Sequence, residues 1–169
     1  MASEERNANF VTEIRIPRRK VSYLRKLKEE LEKKGNVEIE LSEGNLVKIK
    51  GNPINCLTVK NVIQAIARGF PKEQAFLLFD ERYTLCVLQI AKKKNDLIRI
   101  RARLIGTKGK AKREIEKLAN VKIAISGKTV AIIGEYENVE NARIAIERLI
   151  AGAKHSNVFA LLRKLTAKF

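Results

Sequence analysis

The chain repeats itself, and the repeat limits its fold more than any single motif does. Gly44, Val47, Ile49, Gly51, Gly69 and Phe76 recur 83 positions later as Gly127, Val130, Ile132, Gly134, Gly152 and Phe159. Val37, Ile39 and Leu41 recur 84 positions later as Val121, Ile123 and Ile125. Two copies of one unit, each about 80 residues, therefore account for nearly all of the 169 residues. Whatever the fold is, a short segment must be able to build it, and the chain must build it twice.

Each copy reads alike. In "NVEIELSEGNLVKIKG" and "NVKIAISGKTVAIIG" apolar and polar residues alternate, which predicts two half-buried strands joined by a tight turn. Gly44 and Gly127 stand where that turn needs a permissive backbone. An amphipathic helix is expected after each hairpin. In the first copy Asn52 and Pro53 read as N-cap and first helical residue, with Val59, Val62, Ile63 and Ile66 on one face. In the second copy Val139, Ala142, Ile146, Leu149 and Ile150 share a face, and Gly152 ends the helix. A short trailing helix follows each, "PKEQAFLLF" and "SNVFALLRKL", with Ser156 as the expected cap of the second.

Upstream of the hairpins the copies part. The second has a strand, "YTLCVLQI", and then "NDLIRIRARLI", a helix expected to be capped by Asn95. Next come Gly106-Thr107-Lys108-Gly109 and another helix that turns Ala111, Ile115 and Leu118 inward. A glycine inside a helix costs about 1 kcal/mol relative to alanine. Two of them in four residues imply a turn whose bare main chain is approached closely. The first copy runs from the strand "FVTEIRI" into one helical pattern from about Arg18 to Lys34, with Ser22 to Arg25 where the glycines would be.

Charge points to the same place. Lysine and arginine number 35 against 19 acidic residues, a formal charge of +16. Residues 1–83 hold 16 basic and 12 acidic residues, residues 84–169 hold 19 and 7, and the window 92–113 holds 10 and one. Charge gathered in this way implies a polyanionic partner, nucleic acid first.

Other function classes find little support. No apolar run approaches a membrane span, and the polar start "MASEERNANF" is not expected to be a secretory signal. Cys56 and Cys86 are too few for a disulfide framework or a zinc site and read as buried thiols of a cytoplasmic protein. His155 is the only histidine, and no nucleophile–base pair or metal-ligand spacing is evident. The expectation is no enzyme, no metal and no cofactor.

Strand, helix, Gly-x-x-Gly turn, helix, strand, strand, helix resembles the KH domain in its eukaryotic-type (type I) form, a module for single-stranded nucleic acid. The resemblance implies an α/β fold of the two-layer α+β kind. It would contain two tandem type I KH-like units, each a three-stranded antiparallel sheet with helices on one face. Residues 1–9 would be a flexible N-terminus, 10–80 a degenerate unit without the glycine loop, and 81–169 the intact unit with a C-terminal helix. The loop of such domains clamps about four nucleotides. Candidate RNA-binding residues are Ile105, Gly106, Thr107, Lys108, Gly109, Lys110, Lys112 and Arg113, with Arg99 and Arg103 from the preceding helix. Ile123 and Ile125 are the candidates for an apolar groove under the bases.

The whole of residues 10 to 168 also resembles the archaeal members of the Dim-two (partner of Nob-one) family of small-subunit ribosome assembly factors, which pair a degenerate KH unit with an intact one, and the related Krr-type assembly factors share a similar pattern. The segments carrying this likeness are "ARGFPKEQAFLLF" and "RLIGTKGKAKREIEKLANVKIAISGKTVAIIGEYENVENARIAIERLIAGAKHSNVFALLRKL". This resemblance implies a non-catalytic protein acting near the 3′ end of small-subunit rRNA beside a PIN-domain nuclease that trims that end. The alpha subunit of translation initiation factor two is a looser implied partner.

Overall fold

The computed structural model describes residues 10–167, so the expected flexible segment 1–9 lies outside the described residues. The chain divides into two compact units between Phe79 and Asp80. In the first, β1 (Phe10–Arg15) leads through a 3-10 turn into α1 (Val21–Gly35), followed by β2 (Val37–Ser42), β3 (Leu46–Gly51) and α2 (Pro53–Ala67). α3 (Lys72–Ala75) and a 3-10 turn, Phe76–Phe79, close it. The second unit runs β4 (Tyr83–Gln89), α4 (Lys94–Ile105), α5 (Lys110–Ala119), β5 (Lys122–Ser126), β6 (Thr129–Glu135), α6 (Tyr136–Ile150) and α7 (His155–Thr166).

Both sheets are antiparallel, with the last strand of each unit in the middle: β1-β3-β2 and β4-β6-β5. Matching registers tie them to the repeat, Ile39 lying opposite Ile49 and Ile123 opposite Ile132. Alternation along the strands sends these residues to the helix-covered face, where all four are buried. Leu24, Leu27 and Leu31 of α1 and Val59, Val62, Ile63 and Ile66 of α2 complete the first core. Ile100 and Leu104 of α4, Ile115 of α5, Ile146 and Leu149 of α6, and Val158 and Leu162 of α7 complete the second. Burying one such side chain is worth roughly 1.5–3 kcal/mol.

The turns follow the residue chemistry. Gly44 and Gly127 take φ of 73° and 54°. α1 and α5 both end on an asparagine in the left-handed region, Asn36 at φ 50° and Asn120 at φ 54°. Asn52 caps α2 as expected, its side chain accepting from the Ile54 N–H at 2.9 Å.

Two expected caps are absent. α4 starts at Lys94 with Lys93 before it, which leaves Asn95 inside the first turn; Asp96 there meets the positive end of the helix dipole instead. α7 starts at His155, so Ser156 is also inside its helix. The start of α7 is tied down by the ring of His155, which reaches the end of another helix. No helix of the described residues is long and apolar enough to cross a membrane.

Candidate nucleic-acid interface

α4 stops because its next residue leaves helical space. Gly106 has φ 72° and ψ 176°, and its N–H still donates to Ala102 O at 2.9 Å. Lys108 (φ 54°) and Gly109 (φ 76°) stay left-handed, and Gly109 then becomes the N-cap of α5. Gly106 is required twice over. Beyond its positive φ, a β-carbon there would lie 2.7 Å from both the backbone N and the Cβ of Ala111. The loop's main chain therefore lies flat on the first turn of α5. Lys108 is held in its left-handed state from below, since Arg113 Nη1 donates to the Lys108 carbonyl at 2.6 Å.

An anion could use what this corner presents. Thr107, Lys108 and Lys110 are exposed, and among the described residues the two lysines have no carboxylate partner. α5 has neither a side-chain cap nor an acid in its first turn. Its N-terminal N–H groups and positive dipole end are thus left to a ligand.

The remaining candidates separate. Ile105 is half-buried at the end of α4, and Ile125 is half-buried against the core. Ile123 is 4% exposed and packs inside the core. Strand alternation marks the inward face without distinguishing core from groove. Arg99 is exposed and pairs with Asp96 at 3.6 Å, and Lys112 pairs with Glu116 at 3.3 Å. Arg103 is engaged internally. Its Nε donates to Leu149 O at 3.3 Å and its Nη2 donates to Ala153 O, so it caps the C-terminal end of α6.

Sequence reading missed two residues beside the loop. His155 Nε2 lies 2.8 Å from Arg103 O, a contact that needs the proton on Nε2, and Phe159 follows one turn along α7. With Gly106, Thr107 and Lys110 they line a cavity of about 490 Å³. Nothing local announces this approach across 52 positions; only the four-residue spacing of the two rings hinted at a shared face.

Burial pushes the thiols of Cys56 and Cys86 above the ordinary range. Among the described residues no His, Cys, Asp and Glu side chains cluster as metal ligands.

The sheet order, the helix pairing and the glycine loop define a KH domain of type I, preceded by a second unit on the same sheet plan. Residues 84–167 match the eukaryotic type KH-domain (KH-domain type I) family. The chain is 33% identical over 163 residues to a KH domain-containing protein of Methanocaldococcus jannaschii, covering 89% of this chain and 72% of that protein. It is 31% identical over 111 residues to RNA-binding protein pno1 of Ixodes scapularis, spanning 47% of that protein's length. Among solved structures, the a/eIF2alpha-aDim2p-rRNA complex of Pyrococcus horikoshii superposes with a TM-score of 0.87 at 30% identity, covering 95% of this chain and 96% of the other. The chain belongs to the Dim2/PNO1-type family of KH-domain proteins.

Proposed function

We propose that this protein is a non-catalytic ribosome assembly factor that grips single-stranded rRNA near the 3′ end of the small subunit while that end matures. One observation carries the reading: the loop Gly106–Gly109, with Gly106 packed close on Ala111 of α5 and with Thr107, Lys108 and Lys110 exposed. Phosphates would lie on this loop and on the N-terminal N–H groups of α5, while Lys108 and Lys110 neutralise charge beside them. Ile105 and Ile125 would flank the bases. Family membership extends the reading to rRNA, and the PIN-domain trimming nuclease is proposed as the partner acting on the same end.

A second reading, a scaffold linked to translation initiation, is favoured by the solved complex in which a relative sits with a/eIF2alpha and rRNA. Salt titration tests the RNA-binding core of both. Affinity for a single-stranded rRNA oligonucleotide should fall by about 0.7 log units per log unit of salt for each phosphate neutralised. A flat salt curve would remove the charge-based reading.

A further inference from the structure

The cavity between the glycine loop and α7 has no place in the reading so far. Its floor is small: Ala102, Gly106 and Ala111 bring little side chain. Its wall is aromatic, His155 and Phe159, with ring centroids 6.0 Å apart and planes tilted by 59°. Thr107 and Lys110 line it too, so the cavity and the phosphate-facing loop share residues. The wall is also fixed in advance. His155 is held by the Arg103 carbonyl, and the Arg103 side chain is pinned to the corner between α6 and α7.

The internal repeat gives a comparison. Phe159 corresponds to Phe76 of the first unit, which has no glycine loop. Phe76 is occupied by its own neighbours: Phe79 meets it edge-on at 5.3 Å, and the ammonium groups of Lys34 and Lys72 lie 5.2 Å and 5.6 Å from its centre. Phe159, half-buried against the second core and beside His155, lines the cavity in the unit that keeps the loop.

We propose that this cavity is a nucleobase site, taking one unpaired base of the strand whose phosphate lies on the glycine loop. This rests on the RNA-clamping reading of that loop. An occupant attached to a phosphodiester chain fits the position because residues 92–113 around it hold 10 basic residues and one acid. A neutral, flat, aromatic group fits the wall, since every base has a face that stacks on a ring. The volume lies within the range of small-ligand pockets, about 300–1,000 Å³.

The test uses the full chain and a labelled single-stranded RNA matching the small-subunit rRNA 3′ end, with a series in which one base at a time is replaced by an abasic ribose. One abasic position should weaken wild-type binding roughly tenfold. Phe159→Leu should weaken binding of the intact RNA by a similar factor and be indifferent to that one abasic position. His155→Gln, which retains a donor for the Arg103 carbonyl, should show the same coupling and serves if Phe159→Leu fails to fold. A folded variant that binds every RNA like wild type, or loses affinity equally across the series, overturns the base site. In parallel, Thr107→Asp with Lys108→Asp should weaken all RNAs alike. If that loop variant binds normally the clamp itself is wrong, whereas a sensitive loop with no Phe159 coupling removes the cavity proposal alone.

Discussion

The two units share a sheet order, a hairpin and a closing helix, yet only one can offer bare main chain to a ligand. In the second unit the chain leaves β4, forms α4, breaks at Gly106 and re-enters helix at Lys110. The first unit omits that excursion: β1 passes through Pro17 and one 3-10 turn straight into α1. α1 and α5 end alike, on left-handed asparagines, so the difference lies wholly at their starts. α1 extends through Ser22–Arg25, and its side chains stand where the other unit shows backbone. The scaffold therefore does not need the loop. The glycines are kept in one copy at an energetic cost that the other copy avoids, which is what a binding element looks like.

The sharpest way to break this contrast is to load both starts with acid. Thr107→Asp with Lys108→Asp should weaken single-stranded RNA binding by about 2–4 kcal/mol, since contacts to charged groups are worth roughly 1.5–3 kcal/mol each and repulsion adds to their loss. Thermal melts should stay near wild type, because both side chains are exposed. Arg18→Glu with Lys20→Glu in the first unit should cost no more than about 1 kcal/mol, the range of a screened surface charge. Equal losses in fluorescence anisotropy titrations would mean that the first unit binds RNA as well.

A smaller effect tests the loop as structure. Gly106→Ala places a β-carbon 2.7 Å from the Ala111 backbone at a positive φ. It should destabilise the second unit by about 1–3 kcal/mol through overpacking and backbone strain. The aligned change in the first unit, Ser22→Gly, should cost about 0.5 kcal/mol of helix propensity. Urea unfolding of both variants gives the comparison, and a harmless Gly106→Ala would show that the loop can move off α5.

How much of this was legible depended on the range of the cause. The hairpins, the capped α2 and the left-handed turn glycines are local consequences of alternation and residue type, and they stand where the sequence placed them. The glycine loop was legible because two residues without side chains have few other reasons to sit there. The internal partners of Arg103, the carbonyls of Leu149 and Ala153, were not legible because they lie 46 and 50 positions away. The depth of Ile123 was not legible because a core-facing and a groove-facing residue share one strand period. Asn95 and Ser156 have good capping chemistry, but their helices begin before them.

The finest contrast lies at the closing helices, where both units should bind nothing and differ only in capping. Asn52 caps α2 through its side chain and is followed by Pro53. Its repeat partner, Glu135, precedes α6 without any side-chain cap bond. Asn52→Ala should therefore cost α2 about 1 kcal/mol, the usual worth of an N-cap. Glu135→Ala should cost α6 only a few tenths of that, through a weak charge–dipole term at an exposed position. Native-state hydrogen exchange reads the two helices separately in the same chain. A larger loss of protection in α6 than in α2 would show that its start depends on Glu135 in a way the repeat does not express.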